Sequence, residues 1–136
     1  MTGKLGLRTS PIVRPLFWYA GTVLLAPSVM KKLHVDPAQV RPIAVGFGAC
    51  YATDEIAVKG RRVGFMYRED PDSERDSGWR FMAGDEDQLY MDNPDNVDVY
   101  DINLIANIDR SVVKHLAAPV GSAFERDADT DRWEKV

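Results

Sequence analysis

The sequence predicts a small α+β domain, with an antiparallel sheet of about five short strands and two or three short helices. Three observations support this fold class. Short apolar segments with strand-like alternation recur between residues 43 and 124. Glycine- and proline-containing turns separate these segments, and aspartates precede the short helical patterns. A chain of 136 residues fits one domain, which can bury roughly two-thirds of the surface of its unfolded chain.

The strands are predicted from apolar segments that end at glycines or polar turns. The first two are expected to pair as a hairpin, with Gly60 at its bend. Alternation in the third places Trp79 and Phe81 on one face of the sheet. Whether Trp79 belongs to the core or to an interface stays open. The five predicted strands are residues 43–51, 63–68, 79–82, 97–100 and 120–124.

The helices are predicted to be short, and each follows an aspartate that can cap it. Asp85 is expected to cap a helix that ends at Met91 and turns Leu89 toward the core. Asp101 and Asp109 are expected to cap the next two helices, at residues 102–107 and 110–116. After residue 126 the chain is expected to fray.

Composition divides the chain into three parts. Residues 1–42 are predicted to be an N-terminal extension that packs on the domain or on a partner. Residues 43–126 are predicted to be the α+β domain, and residues 127–136 a charged tail. The charge-free run at residues 16–30 is shorter than the ~20 apolar residues that a membrane helix needs. We therefore expect it to pack rather than to cross a membrane, and homodimerisation through it is an alternative.

The net charge of −4 conceals a strong asymmetry along the chain. Residues 1–68 carry a net charge of +7, residues 69–101 carry −10 and residues 102–136 carry −1. An acidic segment of this kind repels nucleic acid and attracts a basic protein surface. The alternative is that aspartates accumulate here because they suit solvated turns. The residues predicted to bind a partner are Asp70, Asp72, Asp85, Glu86, Asp87, Tyr90, Asp92 and Asp95.

Residues that carry catalysis or bind metals are few and poorly spaced. Cys50 is the single cysteine, which excludes an internal disulfide and fits a reducing cytosol. His34 and His115 lack zinc-ligand spacing, and residues 127–131 lack the glycine and glutamate of a calcium loop. No phosphate-binding or hydrolase motif occurs, so we predict no enzyme activity, metal or cofactor. The alternative is a small-ligand-binding protein or hydrolase with a carboxylate-lined pocket around Arg80, Asp85 and Asp92.

Four segments between Gly48 and Arg126 share one order with a known family. They read GRRVGFMYRE, DSGWRFMAGDED, YMDNPDNVDVYDINLIANID and PVGSAFER. Together they resemble a bacterial polymorphic-toxin immunity protein, immunity family thirty-three. The resemblance implies a small cytoplasmic, non-enzymatic protein that neutralises a cognate toxin, and it implies no catalytic residues. Combined with the acidic segment, it predicts a toxin with a basic surface.

Overall fold

The computed structural model describes residues 31–136, which form a six-stranded mixed sheet with short helices on it. The predicted α+β class is confirmed, with six strands rather than about five. The strands are β1 (Ala49–Thr53), β2 (Phe65–Arg68), β3 (Asp76–Met82), β4 (Val97–Asp101), β5 (Ala123–Arg126) and β6 (Trp133–Lys135). The α-helices are α1 (Asp54–Ala57), α2 (Gln88–Met91) and α3 (Ile102–Ile108), and 3-10 helices cover Pro37–Gln39, Pro94–Asn96 and Arg110–His115.

The strand order corrects two expectations about pairing. The order is β4-β1-β3-β2-β5-β6. Strands β1 and β3 are parallel, whereas the other neighbouring pairs are antiparallel, so the sheet is mixed rather than wholly antiparallel. The predicted hairpin between the first two strands is wrong, because β3 lies between β1 and β2. Instead, β2 and β3 form the hairpin, through a polar loop at residues 69–75.

Helices α1 and α3 lie on one face of the sheet and form the larger core with it. Trp79 and Phe81 of β3 pack there with Ile56 of α1 and Ile105 of α3, and all four are at most 1% exposed. The indole N–H of Trp79 donates to the carbonyl oxygen of Leu116 at 3.1 Å. This confirms the predicted alternation in β3 and places Trp79 in the core.

The opposite face carries a smaller core to which α2 contributes. Its buried members are Tyr51, Phe65, Tyr67, Met82, Met91 and Val97. The inward residue of α2 is Met91, whereas Leu89 is 83% exposed, so the prediction that Leu89 turns inward is wrong. The reason is a shifted start: α2 begins after Asp87, whose carboxylate accepts the Tyr90 N–H, rather than after Asp85.

Aspartate caps fix the helical segments that follow β4. The Asp101 carboxylate accepts the Asn103 N–H at 2.7 Å, and α3 begins at the next residue, Ile102. The Asp109 carboxylate accepts the Ser111 N–H at 3.1 Å. Both predicted caps are confirmed, and the second opens a 3-10 helix.

The end of the chain is ordered against the sheet instead of frayed. Strand β6 pairs with β5 in antiparallel register. Trp133 stacks under the guanidinium of Arg126 at 4.7 Å and meets His115 edge-on at 5.3 Å. These aromatic contacts explain why a charged tail still joins the sheet.

Residues 31–45 run along the helical layer. The Lys31 ammonium pairs with Asp54 at 2.7 Å, and the Arg41 carbonyl oxygen accepts from the amides of Asn103 and Asn107. The apolar run at residues 16–30, with its predicted packing or dimerisation, lies outside the described residues. Within residues 31–136, no helix has the length and apolar character needed to cross a membrane.

Candidate partner-binding surface

The acidic residues that were predicted to form one surface lie at the two ends of the sheet. Asp70 and Asp72 belong to the loop before β3, whereas residues 85–95 follow the other end of β3. Strand β3 has seven residues, which span roughly 20 Å at about 3.3 Å per residue. The predicted set therefore divides into two separate patches.

The patch around α2 is formed by an acidic stretch of the chain. Residues 83–98 include six acids and no base. Among them stands Leu89, which is 83% exposed although it is apolar. We call the exposed residues of this patch the α2 surface: Asp85, Asp87, Leu89, Asp92 and Asp95.

Glu86 was predicted to bind a partner, but its carboxylate makes contacts within the fold. One carboxylate oxygen accepts from the Thr53 hydroxyl at 2.7 Å and from the Ala83 N–H at 2.8 Å. The other oxygen accepts the Gly84 N–H at 2.8 Å. Glu86 therefore ties the end of β1 to the start of the acidic loop, which holds the α2 surface in position.

Arg61 offsets part of the negative charge of the α2 surface. Its guanidinium forms two hydrogen bonds to Asp85, both at 2.9 Å, and a third to Glu55 at 2.8 Å. The bond from Arg61 lowers the pKa of the Asp85 carboxyl. At the other side of the surface, the Lys31 ammonium donates to the Asp95 carbonyl oxygen at 2.6 Å. The Asp87 carboxylate accepts the Tyr90 N–H, and the Asp92 carboxylate accepts from the Gln88 side-chain amide, so both of these contacts lie within α2 and its ends.

Tyr90 contributes less to the outer surface than the sequence predicts. Its side chain is half-buried and packs against the smaller core. Burial, and then the nearby carboxylates of Glu55 and Asp54, raise the pKa of the Tyr90 hydroxyl. Tyr90 therefore serves mainly to seat α2 on the sheet.

The second patch borders a groove of about 850 Å³ beside the 69–75 loop. Asp72 lines this groove and accepts a hydrogen bond from the Tyr51 hydroxyl. Burial, and then Asp72, raise the pKa of that hydroxyl. Asp70 is exposed nearby. This patch borders a groove, whereas the α2 surface carries an exposed apolar side chain, Leu89.

The predicted ligand pocket around Arg80, Asp85 and Asp92 does not form. The Arg80 side chain is 1% exposed and its guanidinium pairs with Asp76 at 2.8 Å and with Glu69 at 2.6 Å. Asp85 and Asp92 lie beyond the opposite end of β3, where their partners are Arg61 and Gln88. Arg80 is therefore part of a buried ion-pair network.

Within the described part of the chain, no group of three His, Cys, Asp or Glu residues is placed to hold a metal ion. Cys50 is buried, and burial raises the pKa of its thiol, which disfavours the nucleophilic thiolate. The ring of His115 stacks on Phe124 at 4.2 Å, inside an aromatic cluster. Cys50 and His115 therefore both contribute to packing within the fold.

Leu89 is the surface residue that sequence reasoning missed. Asp85 and Asp87 both fit the preference for aspartate at a helix N-cap. When the helix begins after Asp87, it has a single turn, in which Leu89 and Met91 are two residues apart. Two residues correspond to about 200° of helical rotation, so only one of these two side chains can face the core.

The α2 surface places an exposed leucine among exposed carboxylates, and charge of one sign on a surface attracts a partner of the opposite sign. The comparison with protein families agrees: residues 50–136 match the model described as the Immunity protein Imm33 domain. The match spans more than half of the chain, and the chain belongs to this immunity protein family. The comparisons with curated proteins and with solved structures returned no match. Family membership supports an immunity role in general, implies a toxin as the partner and suggests a non-enzymatic protein.

Proposed function

We propose that this chain is a cytoplasmic, non-enzymatic immunity protein that neutralises a cognate toxin by binding to it and covering its working surface. The observation that carries the proposal is Leu89, which is 83% exposed within a chain segment, residues 83–98, that has six acids and no base. Burial of a leucine side chain contributes about 1.5–3 kcal/mol. Leu89 is therefore suited to be the anchor of an interface.

The carboxylates of the α2 surface suit a basic partner. Charges of one sign around an interface speed association with a surface of the opposite sign and disfavour wrong partners. Asp87, Asp92 and Asp95 lie within six positions of Leu89 in the chain and are exposed. A toxin surface with Lys or Arg around an apolar pocket complements this arrangement.

The α2 surface is held in one conformation before binding. Met91 at the end of α2 is 0% exposed. The Asn96 amide donates to the Tyr90 carbonyl oxygen at 2.9 Å, and Asp87 caps the first turn. A surface that is already ordered loses little conformational entropy when a partner binds, so this short helix can still support tight binding.

The test is rescue of a bacterial host from the toxic product of a gene adjacent to the one that encodes this chain. We expect the native chain to restore growth. A triple variant with Leu89→Ser, Asp92→Lys and Asp95→Lys is expected to fail. Asp92 follows the last turn of α2, where a lysine is favourable to the helix dipole, so the variant is expected to fold.

The matched control is Asp129→Lys, an exposed charge reversal in the turn before β6. This turn lies beyond the other edge of the sheet from β4. We expect the control to rescue growth as well as the native chain. Full rescue by the folded triple variant would remove the α2 surface from the proposal.

A further inference from the structure

Strand β4 forms an edge of the sheet. It pairs with β1 on one side, and no strand within residues 31–136 pairs with its other side. An unpaired strand edge presents backbone N–H and C=O groups that can pair with another chain. The Val99 N–H donates to the Asp98 carboxylate at 2.9 Å, a local contact that the carbonyl oxygen of an added strand can replace.

Two grooves meet along this strand. The groove of about 850 Å³ and a second one of about 460 Å³ share Val99, Tyr100 and Asp101 in their walls. Val99 packs against the smaller core, and Tyr100 packs against the larger core on the other face of the sheet. Because successive side chains of a strand point to opposite faces, a strand added to β4 would direct alternate side chains toward the two grooves.

The two grooves differ in chemistry. The smaller groove, which we call the apolar groove, is walled by Leu33, Val40, Leu104 and Val45, and the last of these is 68% exposed. The larger groove, which we call the acidic groove, has four carboxylates and two guanidinium groups in its walls. Phe47 borders it and is 42% exposed. The pair of grooves therefore fits an apolar side chain and a cationic side chain at neighbouring positions.

We propose that β4 accepts an extended segment of the toxin as an added strand. A Lys or Arg side chain of that segment occupies the acidic groove, and the next residue places an apolar side chain in the apolar groove. Main-chain hydrogen bonds to β4 provide affinity, and the two grooves provide sequence preference. The identity of the partner rests on the proposed function, whereas the surface is separate from the α2 surface.

The cationic preference follows from three carboxylates of the acidic groove. Glu74 and Asp101 are exposed, and Asp72 is held by the Tyr51 hydroxyl on the groove wall. The guanidinium of Arg68, one of the two bases in the wall, already donates to the carbonyl oxygens of Ser77 and Ala118. Three carboxylates against the guanidinium groups of Arg68 and Arg75 leave the groove walls net negative, which favours a cation and disfavours an acidic peptide.

The test uses three synthetic peptides and the full chain labelled with ¹⁵N. The first peptide, Thr-Val-Arg-Val-Arg-Val-Thr, alternates apolar and cationic residues. The second replaces both arginines by glutamate, and the third replaces the central valine by proline, which cannot donate to a ladder. We expect the first peptide to shift the amide signals of residues 97–101 and to slow hydrogen exchange there. The other two are expected to bind at least about tenfold more weakly, which corresponds to about 1.4 kcal/mol.

Variants separate this inference from the proposed function. Glu74→Gln with Asp101→Asn is expected to weaken binding of the first peptide, and asparagine keeps the cap of α3. Asp129→Asn, which removes an exposed carboxylate outside the acidic groove, is the matched control and is expected to leave peptide binding unchanged.

The β4 inference would be overturned if the amide signals of residues 97–101 did not shift at millimolar peptide, or if the shifts were confined to the α2 surface. Either result would leave the proposed function in place. Peptide binding at β4, together with full rescue by the α2 triple variant, would support this inference and remove the α2 surface from the proposed function.

Discussion

Replacement of Arg80 by methionine tests how the middle of the sheet is stabilised. The Arg80 side chain is 1% exposed, yet it carries a full charge. It belongs to β3, which lies between β1 and β2 in the sheet. Its guanidinium forms two hydrogen bonds with Asp76, at 2.9 and 2.8 Å, and one with Glu69 at 2.6 Å. It also lies 4.2 Å from the centre of the Tyr51 ring. The methionine keeps most of the volume but removes the charge and all of these donors.

The expected loss in the free energy of unfolding is about 3–5 kcal/mol, which is typical when one partner of a buried ion pair is removed. The Asp76 side chain is only 7% exposed, so water cannot replace the guanidinium. The Glu69 side chain is 19% exposed, so water can partly replace the guanidinium there and the loss at Glu69 is smaller. A double variant, Arg80→Met with Asp76→Asn, is expected to recover about 1–3 kcal/mol, because it removes the orphaned charge.

The effect of Arg80→Met depends on pH in a defined direction. Burial would raise the pKa of the Asp76 carboxyl, but the Arg80 guanidinium and the Gly78 and Asp72 amides hold it below its ordinary value of 3.8. In the native chain this group contributes stability above pH 3.8, and the contribution is lost as pH falls through the lower folded value. Without Arg80 the first of these lowering contacts is lost, so the pKa of the Asp76 carboxyl is expected to rise. The difference between native chain and variant should therefore shrink as pH falls below about 4.

Urea unfolding at several pH values, followed by tryptophan fluorescence, measures these differences. A loss below about 1 kcal/mol at pH 7, with no pH dependence, would mean that the ion-pair network is not what stabilises the strands. Equal destabilisation in the single and double variants would mean that lost packing, rather than the orphaned carboxylate, is responsible.

Three further predictions concern His115, Gly64 and Cys50. Burial, and then Lys114 and Arg126, lower the pKa of His115 below 6.5. Stability should therefore decline as pH falls below 6.5. In the variant His115→Phe, the melting temperature measured at a series of pH values should show a smaller decline in this range. A Cβ at Gly64 would lie 1.9 Å from the Ala83 carbonyl oxygen, so Gly64→Ala should cost about 1–3 kcal/mol in urea unfolding. Burial raises the pKa of the Cys50 thiol, so this thiol should react with a disulfide reagent only after denaturation, as the absorbance of the released product will show.

Local sequence patterns predicted the parts of the fold that depend on near neighbours. Alternation in β3 placed Trp79 and Phe81 correctly, and the caps at Asp101 and Asp109 are where the aspartates suggested. The parallel pairing of β1 with β3 could not be predicted in this way. Alternation shows which side chains share a face, but it does not show which strands are neighbours.

The candidate surface was predictable in composition but not in shape. The run of acids was visible in the sequence, whereas its division between the two ends of β3 depends on the strand order. The pairing of Asp85 with Arg61, 24 positions away, is likewise a product of the folded chain. Glu86 shows the same limit, because its bond from the Thr53 hydroxyl joins residues 33 positions apart.

The most direct test of the central claim is the association rate of the full chain with its cognate toxin, measured by stopped flow at increasing salt. We predict a rate that falls with salt and falls further for Asp92→Lys with Asp95→Lys, while the melting temperature stays unchanged. Recognition through the α2 surface would be contradicted if the association rate did not change with salt or with these charge reversals. The control variant Asp129→Lys is expected to associate at the native rate.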